Sequence, residues 1–486
     1  MAPPPAPLSA ADRPGPKGQV PSWSADPTQL PDVDCGLTVA AVEQRVHLTG
    51  DLATSDGSPS AASVRPSSAP DVFVFLLELG KALLGTGDAV SDIELRLVQA
   101  AKAYGQPDAR VMVLPTAVAI AAGPRQPATL ATVDTDGSLG SAGPQLRLDQ
   151  ITEVLHIARA AAAGEMPVDR GLAALGQVNE MPSRYNPLIT ILGYVVVTLG
   201  IGLILEPSVP LLPAYAALGL LVALLRDGAA RVPGLATILP VLAAATVSAI
   251  AFAMSGRYEA APLAELIAPL VLFLPGALLT MATVDLASVE VVTGASRFIA
   301  GLLQLALLAF GIVAGALLVG VTATRSSRVP TDVLGSWAPW VGVLLFAVGT
   351  ALQHSAPRRS LPWLLLVLYA AWGGQLLGEA LFGAGLSGFV GGLVVAPLAI
   401  LIERFPSAPP ALVSFLPAFW LLVPGALGLI GFTQLVGNEP TAGVTSFVDA
   451  LVSIIAIALG ILIGIRTLRV ARGAVASARH IVRSES

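Results

Sequence analysis

LFLPGALLTMATVDLASVEVVTGASRF, residues 272–298, is the stretch whose reading decides the fold. It places the pair Pro275-Gly276 in the middle of an apolar segment. The chain repeats the device in LLVPGALGLIGFTQLVGNEPTAGVTSF, where Pro424-Gly425 stands 149 residues on (424 − 275). Held without a gap over residues 275–315, that offset gives 13 identities in 41 positions. They include the PGAL block, Glu290/Glu439, Gly294/Gly443, Phe298/Phe447, Gly311/Gly460 and Gly315/Gly464. A chain this rich in Ala, Leu, Gly and Val would give about four by composition alone. The sequence therefore carries a duplicated unit, with a broken helix expected at the same place in each copy.

The unit belongs in a bilayer. Of 486 residues, 54% are hydrophobic and 12% charged, and apolar runs long enough to span a membrane recur through the second part of the chain. Ten spans are expected near 187–205, 211–226, 233–254, 262–284, 297–321, 337–353, 361–378, 383–402, 411–434 and 446–465. The offset carries the first five onto the second five; Leu212-Pro213 falls on Leu361-Pro362. Because five is odd, the copies enter the membrane from opposite sides, as two inverted five-helix repeats of the kind found in secondary transporters. The domain reading follows: a disordered Pro/Ala/Ser-rich tail over 1–70, a cytoplasmic α+β domain over 71–182, repeats over 183–326 and 327–470, and a basic cytoplasmic tail over 471–486. The expected fold class is a polytopic α-helical membrane protein preceded by that small domain.

Charge placement gives the orientation. With both termini cytoplasmic, the inner loops and C-terminal tail hold Arg226, Arg231, Arg297, Arg358, Arg359, Arg404, Arg466, Arg469, Arg472, Arg479 and Arg483. The outer loops hold Arg257, Arg325 and Arg328, and eleven against three obeys the positive-inside rule. No basic-then-apolar signal pattern occurs in the first 70 residues, so insertion falls to the later segments. The single cysteine, Cys35, excludes an intramolecular disulfide and a cysteine-based metal site.

In the α+β part, DVFVFLLELGKALLGTGDAVSDIELRLVQAAKAYG spaces apolar residues for two amphipathic helices divided at Gly85 and Gly87, with Ser91 or Asp92 as N-cap. RVMVLPTAVAIAAG and PATLATVDTDGS predict two strands. DQITEVLHIARAAAAGEM and PVDRGLAALGQV predict two more helices, the latter with Pro167 in its first turn.

A mid-helix proline frees backbone groups that cannot face lipid, so two matched breaks point to a cavity at the repeat interface. Pro269 and Pro417 add a second break one or two turns earlier. Freed amides at a half-helix N-terminus suit a carboxylate and freed carbonyls an ammonium group; an amino-acid zwitterion matches both. The alternative is a packing kink, since proline is common in membrane helices. Candidate substrate-binding positions are Pro275, Gly276, Thr280, Thr283, Pro424, Gly425 and Gln434. Asp285, Glu290, Glu439 and Asp449 are candidates for proton coupling or gating, against a reading of the glutamates as solvated loop residues. The paired GxxxG motifs at Gly311/Gly315 and Gly460/Gly464 predict close packing of the last helix of each repeat, with its counterpart as candidate partner.

Three motifs fail. Gly383-Ala-Gly-Leu-Ser-Gly388 fits a dinucleotide pattern but lies in a membrane segment with no preceding strand. Asp134-Thr-Asp136-Gly137 lacks the remaining calcium ligands, and His156 has no ligating or catalytic partners in sequence. No cofactor or metal is expected, no ATP-binding loop is present, and the basic residues lack the interleaved aromatics of a nucleic-acid surface. The expected partners are a small-molecule substrate, protons and the lipid of a cell membrane.

From about residue 71 to 470 the chain resembles the threonine/serine exporter family. The resemblance rests on LGKALLGTGDAVSDIELRLVQAAKAYG from Leu79, VMVLPTAVAI with Pro115-Thr116, the helix pair ending near GLAALGQV, and LPGALLTMATVDLASVEVVTGASR from Leu274. It implies ten membrane helices, a cytoplasmic N-terminal domain and export of threonine and serine driven by the proton motive force, and thus a transporter rather than an enzyme. Relatives associated with dicarboxylates such as succinate keep a second substrate class open. A dicarboxylate site should collect basic side chains, and Arg297 alone lies near the Asp285 loop. Two other readings compete: a membrane-tethered hydrolase using Asp88, Asp92, Glu94, Arg96 and Asp149, and a passive channel. Against the hydrolase, no nucleophile–base pair is visible; Glu94 and Arg96 read more simply as residues held in structural ion pairs.

Overall fold

In the computed structural model, the described residues are 69–123, 128–132, 146–232, 234–254, 262–320, 334–422, 424–436 and 440–484, all within the compact unit Leu52–Ser486. The expected N-terminal tail lies outside them apart from residues 69 and 70, which open the first helix, and Asp134–Gly137 lies outside them too.

The α+β part begins with α1 (Ala69–Leu84) and α2 (Val90–Ala103). Phe75, Leu76, Leu79 and Leu83 on α1 and Val90, Ile93 and Leu97 on α2 are fully buried, as two amphipathic helices sharing one core require. The junction corrects the expected cap. α2 starts after Ala89, with neither Ser91 nor Asp92 as N-cap, and Asp88 Oδ1 accepts the Ala89 N–H at 2.9 Å. Gly87, at φ 76°, takes the left-handed turn that a side chain resists.

The strand reading is corrected as well. The run expected as one strand folds back on itself as β1 (Arg110–Leu114) and β2 (Ala117–Ala121), antiparallel, with Leu114 opposite Ala117. Pro115 and Thr116 form the two-residue turn, where proline's missing donor costs no ladder bond. β3 (Thr129–Thr132) pairs antiparallel with β2 and completes the sheet order β1-β2-β3. Helices α3 (Leu148–Ala162) and α4 (Val168–Glu180) follow. Arg96 is in an ion pair with Asp88 at 3.6 Å.

The apolar part contains α5 (Pro187–Leu205), α6 (Leu212–Ala229), α7 (Leu235–Met254), α8 (Pro262–Leu270), α9 (Gly276–Ala287) and α10 (Val291–Leu318). It continues with α11 (Ala338–Gln353), α12 (Leu361–Phe382), α13 (Ser387–Ile402), α14 (Ala411–Leu422), α15 (Pro424–Val436) and α16 (Pro440–Ser484). Among the described residues seven spans are long and apolar enough to cross a membrane, or eight if the bent pair 266–273 and 276–287 counts as one; α11 and α13 are shorter apolar helices. The chain is a polytopic membrane protein.

The first Pro-Gly pair breaks its helix. A 3-10 turn, Val271–Phe273, ends α8, Pro275 caps α9, and the two pieces meet at 50°. The second pair opens α15, and residues 411–435 count as one span. Both α6 and α12 begin in the same way, with a 3-10 turn leading into Leu-Pro.

Glycines set the closest helix approaches. α5 and α11 run antiparallel through Gly193, Gly200, Gly342 and Gly349: a Cβ on Gly200 would lie 2.6 Å from Phe346 N, and one on Gly349 2.6 Å from Val197 N. The GxxxG helices pack differently from the expectation. α10 lies on α7, where a Cβ on Gly311 would come 2.6 Å from Val241 O, and α16 lies on α13, where one on Gly464 would come 2.7 Å from Leu393 O. Neither packs on its counterpart, because the small-residue stripe of each is filled by the backbone of a nearer helix.

Candidate functional site

Arg297, near the start of α10, is the charged centre of the molecule's interior. It is 7% exposed and faces Asp285 on α9, which is fully buried. Arg297 Nη1 donates to Asp285 Oδ2 at 2.7 Å, while Arg297 Nη2 donates to the Asp88 carbonyl at 3.0 Å. The second carboxylate oxygen, Asp285 Oδ1, accepts the Val90 N–H at 3.3 Å. One guanidinium thus ties α10 to α9 and both to the turn between α1 and α2. A buried ion pair is tolerated only where its remaining hydrogen-bonding capacity is met, and the α1–α2 turn supplies part of it.

Asp88 is the titratable member of this group outside the apolar helices. Burial pushes its carboxyl up to about 6 and Asp92 adds to the rise, while Arg96 and Arg297 oppose it. Its Oδ2 is buried without a hydrogen bond, since Arg96 at 3.6 Å is an ionic neighbour only. Thr86, also buried, donates its hydroxyl to Leu83 O and holds the turn closed.

The 149-residue offset maps Asp285 onto Gln434 and Arg297 onto Ser446. At those positions Ser446 Oγ and Gln434 Oε1 lie 2.8 Å apart. The same two helix positions therefore carry an ion pair in one copy and a neutral hydrogen bond in the other.

Beside Arg297 opens a cavity of about 110 Å³. At ~10–15 Å³ per water, that is room for several waters or a small solute. Its walls are Ala277, Leu278 and Met281 on α9, Leu416 and Trp420 on α14, His354 after α11, and the segments around Gly85 and Leu148. The first hydrogen bond of α9 runs from Leu279 N–H to Pro275 O at 2.9 Å. The amides before it have no partner within the helix, and the helix dipole makes this end attractive to an anion. His354 packs against Trp420, the rings tilted with centroids 4.9 Å apart, and its Nε2 is buried without a hydrogen-bond partner among the described residues. Burial first, and Arg226 second, hold His354 down to about 3, so it stands as a neutral imidazole.

The sequence candidates divide accordingly. Pro275 and Gly276 set the start of α9 at the cavity. The hydroxyls of Thr280 and Thr283 are spent on their own helix, donated to Gly276 O and Leu279 O. Gln434 is engaged with Ser446. Glu290 is the half-buried residue that begins α10, and its N–H donates to Asp285 O. Asp449 is exposed on α16. Glu439 lies outside the described residues, as do the side chains of Pro424 and Gly425. Sequence reading missed Asp88 as a partner of the helices, along with His354 and Trp420. Only the Asp285/Gln434 and Arg297/Ser446 mismatches between the copies could have signalled the pair.

The α+β part meets the helices at further points. Leu148 N–H donates to His354 O at 3.1 Å, Ser183 and Ser355 share a hydrogen bond at 3.0 Å, and Arg159 pairs with Glu403.

Comparison with known proteins yields one match. No curated protein and no solved structure matches the chain. A family model described as "ThrE: Putative threonine/serine exporter" matches residues 74–319, just over half of the chain. The matched range takes in Asp88, Asp285 and Arg297 and ends just after α10. Such a family transports and does not catalyse: the chain belongs to the threonine/serine exporter family.

Proposed function

We propose that this protein exports small hydroxy amino acids, L-threonine and L-serine, using the proton motive force and alternating access of two inverted five-helix repeats. The observation that carries the reading is the cavity between α9 and α14, the broken segment of one copy and its counterpart in the other. The start of α9 offers amides to a carboxylate. The one charged lining side chain, Arg297, is already neutralised by Asp285. A site without surplus positive charge favours a zwitterion over a dicarboxylate.

Repeat symmetry is supported by matched packing. Gly193 and Gly200 of α5 meet Gly342 and Gly349 of α11 at the same offset of 149. Gly294 packs on Leu286 as Gly443 packs on Leu435. The α7–α10 contact has its equal in α13–α16. Sidedness is supported too. The α+β part touches residues 285, 297, 354 and 403, and all lie at or beside ends assigned to the cytoplasmic side by the arginine count. In this reading Asp88, Asp285 and Arg297 form a clamp that closes the cytoplasmic mouth, and protonation of a clamp carboxylate changes its hold.

The test is efflux from preloaded cells lacking or expressing the protein, with threonine, serine or succinate, with and without a protonophore. Protein-dependent efflux of threonine and serine that collapses with the protonophore is expected. Efflux of succinate alone would overturn the substrate, and efflux indifferent to the protonophore would replace the exporter with a channel.

A further inference from the structure

Two glutamines reach the segments just before the two Pro-Gly pairs in a way the ion pair and the cavity do not explain. Gln304 on α10 donates Nε2 to the Phe273 carbonyl at 3.2 Å, and Gln375 on α12 donates Nε2 to the Leu422 carbonyl at 3.5 Å. Phe273 and Leu422 are themselves 149 residues apart, each two residues before a Pro-Gly pair. The Phe273 carbonyl lies where the 3-10 turn ends before the 50° bend at Pro275. The glutamines are not equivalents of one another: the offset maps Gln304 onto Ser453, and Gln375 back onto Arg226. Two different helices thus bring the same side chain to the same place in the two copies.

The orientation of each amide is fixed by chemistry, since only its nitrogen can face a carbonyl oxygen. Each Oε1 is therefore turned away, and in both residues it is buried with no hydrogen-bond partner among the described residues. One turn before Gln375 on the same face of α12, Trp372 Nε1–H is also buried without a partner. A carbonyl that needed only a donor would be served by a hydroxyl, which leaves no amide oxygen over.

We infer that Gln304 and Gln375 are substrate-contacting residues, one beside each Pro-Gly pair, whose free amide oxygens accept from the ammonium and hydroxyl groups of the transported amino acid. Trp372 supplies a donor to its oxygen atoms. The inference rests on the exporter reading and adds the residues that select a hydroxyl. An analogue without the hydroxyl leaves an amide oxygen buried and unpaired, which is the strongest form of discrimination a binding site can make.

The experiment compares threonine with 2-aminobutyrate, its analogue lacking the hydroxyl, in protonophore-sensitive efflux by the full-length protein. Wild type, Gln304→Met and Gln375→Met are measured, with rates at several loads to separate KM from maximal rate. Wild type is expected to prefer threonine at least tenfold. At least one Met variant should lose most of that preference through a higher KM for threonine, with 2-aminobutyrate little changed. A preference unchanged in both variants overturns the inference while leaving the exporter reading intact; no threonine efflux by wild type removes the exporter reading itself. If a Met variant fails to accumulate, the wild-type ratio decides, because equal handling of the two solutes excludes hydroxyl recognition by either glutamine.

Discussion

The second copy shows how to remove the Arg297–Asp285 ion pair without leaving a hole. Arg297→Ser alone leaves the fully buried Asp285 carboxylate without its cation, at a cost of about 3–5 kcal/mol. The Asp88 carbonyl also loses a donor, worth about 1 kcal/mol. Asp285→Gln alone strands the guanidinium, with a penalty of the same order. The double variant Asp285→Gln/Arg297→Ser rebuilds the neutral bond that Gln434 and Ser446 make at 2.8 Å. It should recover at least about 2 kcal/mol relative to the worse single change, a coupling within the usual range for contacting residues. That recovery is roughly a thirtyfold change in the unfolding equilibrium. The assay is chemical denaturation of the purified full-length protein in detergent, read by size exclusion, for wild type, both single variants and the double. A double variant no more stable than the worse single one would refute the claim that mutual compensation holds the two charges in place. With a stable double variant, efflux then separates structure from function. Protonophore-sensitive export at the wild-type rate would confine the pair to a structural role, whereas the clamp reading expects export to be lost or uncoupled.

Asp88 gives a pH prediction. Its carboxyl titrates near 6 when packed, against 3.8 when free. The packed turn thus holds its proton better, is favoured at low pH, and loses that advantage as pH rises from about 4 to 6. By linkage the packing equilibrium should weaken about tenfold between pH 5 and 7. Amide exchange of residues 85–92, corrected for intrinsic rates, should show this in wild type and not in Asp88→Asn; equal pH dependence in both would sink it. Ala277→Phe should fill the cavity beside Arg297 and abolish efflux while membrane abundance stays near wild type, and full efflux would place the solute path elsewhere. Gly200→Ala puts a methyl 2.6 Å from Phe346 N and should lower thermal stability by the 1–3 kcal/mol typical of overpacking. Gly176→Ala, on α4 with nothing within 4 Å, should raise it by about 1 kcal/mol.

Much of the helical layout was legible because apolar length and the offset of 149 are both linear features of the chain. α5 spans the expected 187–205, and the Leu-Pro starts of α6 and α12 match. The β-hairpin was misread because Val111 to Ile120 is apolar almost throughout, so only Pro115 marked the turn, and a lone proline is weak punctuation. The site was harder. Asp88 and Asp285 are nearly two hundred residues apart, and no periodicity announces that a turn of the α+β part will supply an N–H and a carbonyl to a membrane helix. Thr280 and Thr283 were attractive as hydroxyls in a polar cluster. A hydroxyl four residues after a helix carbonyl, however, most readily bonds back to it, and both do so.

Duplication explains why sequence likeness and chemistry part company here. The identities between the copies fall on positions that pack: Gly294 and Gly443, Gly311 and Gly460, Gly315 and Gly464 all place backbone against a neighbour. Among the differences are the two positions of the ion pair, Asp285/Gln434 and Arg297/Ser446. A two-fold scaffold needs equal helices, but a clamp that opens to one side needs its charge in one copy only. In the proposed inverted arrangement the neutral pair falls at the other end from the α+β part, where no Asp88 carbonyl or Val90 amide is at hand to satisfy an ion pair. A symmetric ion pair would strand its second arginine, whereas the hydrogen bond between Ser446 and Gln434 is complete without a third partner. The family match ends just after α10, so it takes in the clamp but not His354, Gln375 or Trp420.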